Sequence, residues 1–142
     1  MWFNIDMDTV MNRKKLAKRL IALILFILIV NFIATEFYWY SSIWYFDMIM
    51  HTLGGLWLGL LAFYFFSPNK ISTKLVLQIL FFVLLIGLGW EVFEFIVGKV
   101  IVKNGLDILD TSSDLFFDLV GGGLSILYFF KRIMRTVTYR VQ

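Results

Sequence analysis

The sequence predicts an all-α integral membrane bundle of four transmembrane helices, and three observations predict it. Hydrophobic residues make up 61% of the 142, against roughly 45–50% in soluble domains. Charged residues reach only 16%. The apolar residues fall into four runs, each long enough to cross a hydrocarbon core of about 30 Å, which takes roughly 20 helical residues. A chain this short has too little interior to hide such a load from water, and its length fits a single domain, residues 1–142.

The elements follow in order. Met1 to Met11 reads as a short interfacial helix. The polar stretch of the amino-terminal segment, Met1 to Arg19, is long for a secretory signal. The apolar run after it spans a membrane and no A-x-A-like cleavage site follows, so the first span reads as an uncleaved anchor. That span covers about residues 16–38 and is the clearest apolar run. The second covers about 44–66 and stops at Ser67-Pro68-Asn69-Lys70, a helix-ending turn. The third covers about 73–97. The fourth covers about 113–130, with Thr111-Ser112-Ser113 read as its amino-terminal cap. That cap leaves Asp107 and Asp110 in the loop, whereas an earlier start puts both on the helix.

Lysine and arginine set the orientation. Arg13, Lys14, Lys15, Lys18 and Arg19 precede span one, Lys70 and Lys74 lie between spans two and three, and Lys131, Arg132, Arg135 and Arg140 follow span four. Only Lys99 and Lys103 fall on the opposite side. By the positive-inside rule both termini are expected in the cytoplasm of a multi-pass cell-membrane protein. Tyr38, Trp39, Tyr40, Trp44 and Tyr45 then form an outer aromatic belt. The basic residues flank apolar runs and build no stripe along a groove, so the net charge of +3 reports topology and no nucleic-acid partner is expected. With no cysteine, disulfides, thiolate ligands and cysteine nucleophiles are excluded.

The carboxylates give a second pattern. Apart from Asp6 and Asp8, all of them fall near the outer face: Glu36, Asp47, Glu91, Glu94, Asp107, Asp110, Asp114 and Asp118. The expectation is that these acids, from four helices, meet at one level. Asp110, Asp114 and Asp118 are four apart and line one helix face, as do Asp47 and His51; Glu91 and Glu94 are three apart. Gly55 and Gly59 continue the His51 face and admit a neighbouring helix. An ionised group costs several kcal/mol at the bilayer centre and less near the edge. Two lysines cannot neutralise eight acids, so a bound divalent cation is the economical solution. Oxygen donors with one imidazole suit Mg, Mn or Zn, among others. Carboxylates on four helices are similar to the ligand sets of di-metal bundles, although the Glu-x-x-His pairs of that class are absent.

Blander readings stand beside these. His51 would serve as a hydrogen-bonded packing residue, Glu91 and Glu94 as a polar helix end, and Asp110 to Asp118 as a solvated one. Asn31 and Thr35 read as helix–helix hydrogen-bonding residues, Gly121-Gly122-Gly123 as a packing site and Trp90 as an interfacial anchor.

The combined pattern is Asp47-x3-His51-x2-Gly54-Gly55, Trp90-Glu91-x2-Glu94, Gly105-x-Asp107-x2-Asp110-Thr111-x2-Asp114 and Asp118-x2-Gly121-Gly122. It resembles the bacterial YjdF-type inner-membrane proteins and, more remotely, the VanZ-like membrane proteins, over about Asp47 to Gly122. Asn104 stands here where those proteins have a glutamine. The resemblance implies a shared polar site and no established reaction. Asp-x2-Asp and Asp-x3-Asp on membrane helices are also similar to CDP-alcohol phosphotransferases, but the Ala-Arg pair and glycine spacing of that signature are missing.

These readings lead to a metal-dependent hydrolase or transferase acting on a lipid-linked or phosphorylated substrate. Asp47, Glu94, Asp107, Asp110, Asp114 and Asp118 are the expected ligands, Glu91 or His51 the general base, and Lys99 and Lys103 the holders of an anionic headgroup. Membrane lipid is the expected partner, and a homo-oligomer is left open. The alternatives are cation transport or sensing, or an ion that only ties the helices together.

Overall fold

In lipid the backbone amides and carbonyls of runs this long and apolar have no partner but one another, which makes helices the stable form. The computed structural model describes residues 12–66, 72–101 and 107–140. They form helices α1 (Arg13–Glu36), α2 (Trp39–Ser42), α3 (Phe46–Phe66), α4 (Thr73–Ile101) and α5 (Ile108–Arg140), and no strand occurs among the described residues. Segments Arg13–Glu36, Phe46–Phe66, Thr73–Gly98 and Ile108–Arg132 are long and apolar enough to cross a membrane. The expected interfacial helix at Met1 to Met11 lies outside the described residues.

Local chemistry sets the boundaries. Asn12 caps α1, its side chain accepting from the Lys15 amide at 3.1 Å. The helix ends at Glu36 because Tyr38 turns into the left-handed region (φ 55°), which reverses the chain into α2. Ser72 caps α4 through the Leu75 amide at 3.2 Å. The fourth span starts earlier than its expected boundary near residue 113. Asp107 is the cap, its Oδ1 accepting from the amides of Leu109 at 3.0 Å and Asp110 at 3.3 Å. Thr111, Ser112 and Ser113 therefore lie inside α5, where the Ser112 hydroxyl donates back to the Ile108 carbonyl at 2.6 Å. An aspartate that satisfies two otherwise free amides displaces the serine–threonine cap.

Helix α3 is the centre and packs against α1, α4 and α5, most extensively against α5. Glycines set that closeness. A Cβ on Gly55 would fall on the Asp118 carbonyl, and one on Gly121 on the Thr52 carbonyl and the Leu56 amide. A Cβ on Gly59 would meet the Ser125 side chain. In lipid, where no water is expelled between helices, such backbone-to-backbone packing is a main source of association. Towards the other end, Phe63 and Phe129 pack ring to ring at 4.0 Å. Helix α1 is peripheral. The Trp57 indole donates to the Leu20 carbonyl at 2.9 Å, and Arg13 donates to the Tyr64 carbonyl at 3.1 Å while lying over the Tyr64 ring. Leu25, Ile29 and Phe32 of α1, Phe81 and Leu85 of α4, and Phe116 and Leu127 of α5 face outward, the surface a bilayer would cover.

Candidate functional site

Close approach of α3 and α5 carries His51 into the carboxylates of α5. The ring is 9% exposed, Asp114 3% and Asp118 4%. His51 Nδ1 lies 3.3 Å from Asp118 Oδ1. With Asp118 as a carboxylate, which only accepts, this bond requires the proton on Nδ1. The other nitrogen, Nε2, faces Asp47 Oδ1 at 3.8 Å and Asp114 Oδ1 at 3.9 Å. Both separations are too long for hydrogen bonds. An unprotonated Nε2 is an acceptor facing two acceptors, an arrangement that calls for a positive charge between them, either a proton or a metal ion. The Asp47, His51 and Asp114 donor atoms lie within 4.8 Å of one another, a spread that carboxylate and imidazole ligands of one ion can close at bond lengths of about 2.0–2.6 Å.

Helix α4 supplies the opposite wall. Glu91 is 8% exposed, and its Oε1 has no hydrogen-bond partner. Glu91 and the exposed Glu94 each bring a carboxylate oxygen within 4.8 Å of a His51 nitrogen and of each other. Gly87, one turn before Glu91, leaves the room in which the Asp118 carboxylate sits; a Cβ there would strike Asp118 Oδ2. Among the described residues, the basic side chain that meets these acids is His51.

The structure thus brings Asp47, His51, Glu91, Glu94, Asp114 and Asp118 together, from three helices and not four. Glu36 is exposed at the end of peripheral α1. Asp110 is exposed in the first turn of α5. Asp107 is exposed too, its carboxylate spent on the cap. Lys103 lies outside the described residues, as does the side chain of Lys99. Asn31 makes the expected helix–helix hydrogen bond, its Oδ1 accepting from the Tyr40 hydroxyl of α2 at 2.6 Å, whereas Thr35 donates to the Asn31 carbonyl of its own helix. Tyr40 itself was legible only as a belt aromatic. It sits near the pocket mouth, where burial, then the charges of Asp47 and Glu94, push its phenol above the ordinary range. The hydroxyl stays protonated and can donate.

A family model described as predicted membrane protein (DUF2238) matches residues 7–135. This is consistent with the YjdF-type resemblance and extends it over most of the chain; it carries nothing on the VanZ-like proteins. No match was found among curated proteins or among solved structures.

Proposed function

Because the chain belongs to the DUF2238 family of predicted membrane proteins and surrounds one buried imidazole with carboxylates, we propose that it binds a divalent cation inside the membrane near one end of the bundle. The observation that carries this reading is the placement of the two His51 ring nitrogens. Its Nδ1 is committed to Asp118, so Nε2 is free to coordinate and points at Asp47 and Asp114. Metal-binding histidines commonly give their second nitrogen to a carboxylate in this way. Asp47, His51 and Asp114 are the proposed ligands, and Asp118 is a positioning residue. The donor set suits Mg, Mn or Zn. With both termini in the cytoplasm, as the basic residues favour, the site opens on the extracytoplasmic side.

Metal analysis of protein purified in detergent after equilibration with Mn²⁺, Mg²⁺ or Zn²⁺ tests this. The expected result is bound metal in the wild type and its loss in Asp114→Asn. Wild-type protein that emerges without metal from all three ends the proposal.

A second reading, metal-dependent hydrolysis or transfer on a lipid-linked phosphate, is favoured by the graded exposure of the pocket. Glu94 and Asp47 reach the surface while Asp114 and Asp118 are buried, so a headgroup could enter from one end only. A cation there would polarise phosphoryl oxygens and acidify a water. Lys99 and Lys103 follow Glu94 in sequence and would hold the anionic headgroup. Transport fits less well, because the described cytoplasm-directed halves of the spans offer Gln78 but neither acid nor histidine. Phosphate release from lipid phosphates and diphosphates separates an enzyme from a binding protein.

A further inference from the structure

Glu91 presents a problem that one ion cannot solve. Its carboxylate is nine-tenths buried, and one oxygen has no partner at all. An unpaired buried carboxylate oxygen is among the costliest groups to retain. The ligand triad Asp47, His51 and Asp114 does not include it. Glu91 belongs to another close group, with Glu94 and His51, and the two groups have only the histidine in common. A single nitrogen coordinates a single ion, and His51 Nε2 is turned to Asp47 and Asp114 while Nδ1 is held by Asp118. Glu91 and Glu94 are therefore left as a pair of oxygen ligands one helical turn apart, beside the same imidazole as the triad.

Charge balance leads the same way. Asp114, Asp118 and Glu91 are all buried, and Asp47 and Glu94 complete the ring. One divalent ion leaves a negative excess in a site whose described basic side chain is a lone histidine, and a histidine that coordinates through Nε2 is neutral. A second ion removes most of that excess and gives Glu91 its missing partner. Paired divalent ions in carboxylate sites commonly sit about 3.5–4 Å apart, a separation suited to neighbouring groups that meet at one ring.

We propose that the pocket is a two-ion centre: one divalent cation on Asp47, Asp114 and His51, and a second on Glu91 and Glu94, its remaining positions filled by water. The second site is the more exposed of the two, since Glu94 reaches the surface, and is therefore the one that exchanges ions with solvent or meets an incoming phosphoryl oxygen. Glu91 acts as a ligand, in place of the general-base role its sequence position invites. This rests on the cation-binding reading above.

The test uses Mn²⁺ alone, with the full chain in detergent. Metal content should be about two equivalents in the wild type and about one in Glu91→Gln and in Glu94→Gln, as expected for a paired site. Electron paramagnetic resonance should show exchange-coupled ions in the wild type and the hyperfine-split signal of an isolated ion in both variants. Glu94→Gln alters an exposed residue, and its unchanged melting and monodispersity would confirm that the fold survives. Wild type with one equivalent, unchanged in both variants, overturns the second site but leaves the cation-binding reading intact. Variants that keep both equivalents, or a folded Glu94→Gln that loses all metal, also overturn it. Wild type with no metal overturns both.

Discussion

His51 shows how much one side chain can report. A ring fixed by a hydrogen bond on one nitrogen and faced by two carboxylates at the other is set up for a cation before any ion arrives. Asp118 then matters through orientation more than through charge at the metal. Asp118→Asn is expected to weaken Mn²⁺ binding by about 10–100-fold, the usual effect of removing such a supporting carboxylate. His51→Ala should weaken it further, since a ligand is lost. Titration calorimetry distinguishes them, and an Asp118→Asn protein with wild-type affinity would remove the positioning role. Tyr40 belongs to the same scale. Its hydroxyl commits its one proton to Asn31 Oδ1 at 2.6 Å, which ties α2 to α1 beside Asp47 and Glu94.

At the scale of elements, the α3–α5 contact decides whether the site exists. Gly54 and Gly55 are neighbours with opposite duties. A Cβ on Gly54 meets nothing within 4 Å, whereas one on Gly55 collides with the Asp118 backbone. Gly55→Ala should therefore force the helices apart, cost about 1–3 kcal/mol as overpacking does, and abolish cation binding. Gly54→Ala should leave both unchanged. Thermal melting with metal analysis compares the two, and equal behaviour would mean that the close contact is unimportant. Much of this contact was legible in the sequence, because Asp47, His51, Gly55 and Gly59 share one face at intervals of four. The start of α5 was not. Asp107 and Ser113 are both good caps in isolation, and the choice rests on backbone geometry that spacing does not carry. Nor could the sequence show that Glu36 stays outside the pocket. Helix α1 is apolar all around, so no face of it is marked as inner.

At the scale of the molecule, charge is divided between two ends. Arg13 lies against Tyr64 and Arg19 over Tyr128, while the acids gather at the other end of the same helices. The natural chain has no cysteine, which makes the proposed orientation simple to test. In intact cells an impermeant maleimide should label Ser42→Cys, and should label Lys14→Cys only after lysis. The reverse pattern would invert the topology and move the pocket to the cytoplasmic side. Asp47 with His51, Glu91 with Glu94, and Asp114 with Asp118 each occupy adjacent turns of one helix. They confront one another only while three helices keep their azimuths. A twist of a single residue about any axis swings its pair through about 100°. An occupied pocket is thus a torsional clamp on the bundle, and strain in the surrounding bilayer that rotates a helix would register there as a loosened grip.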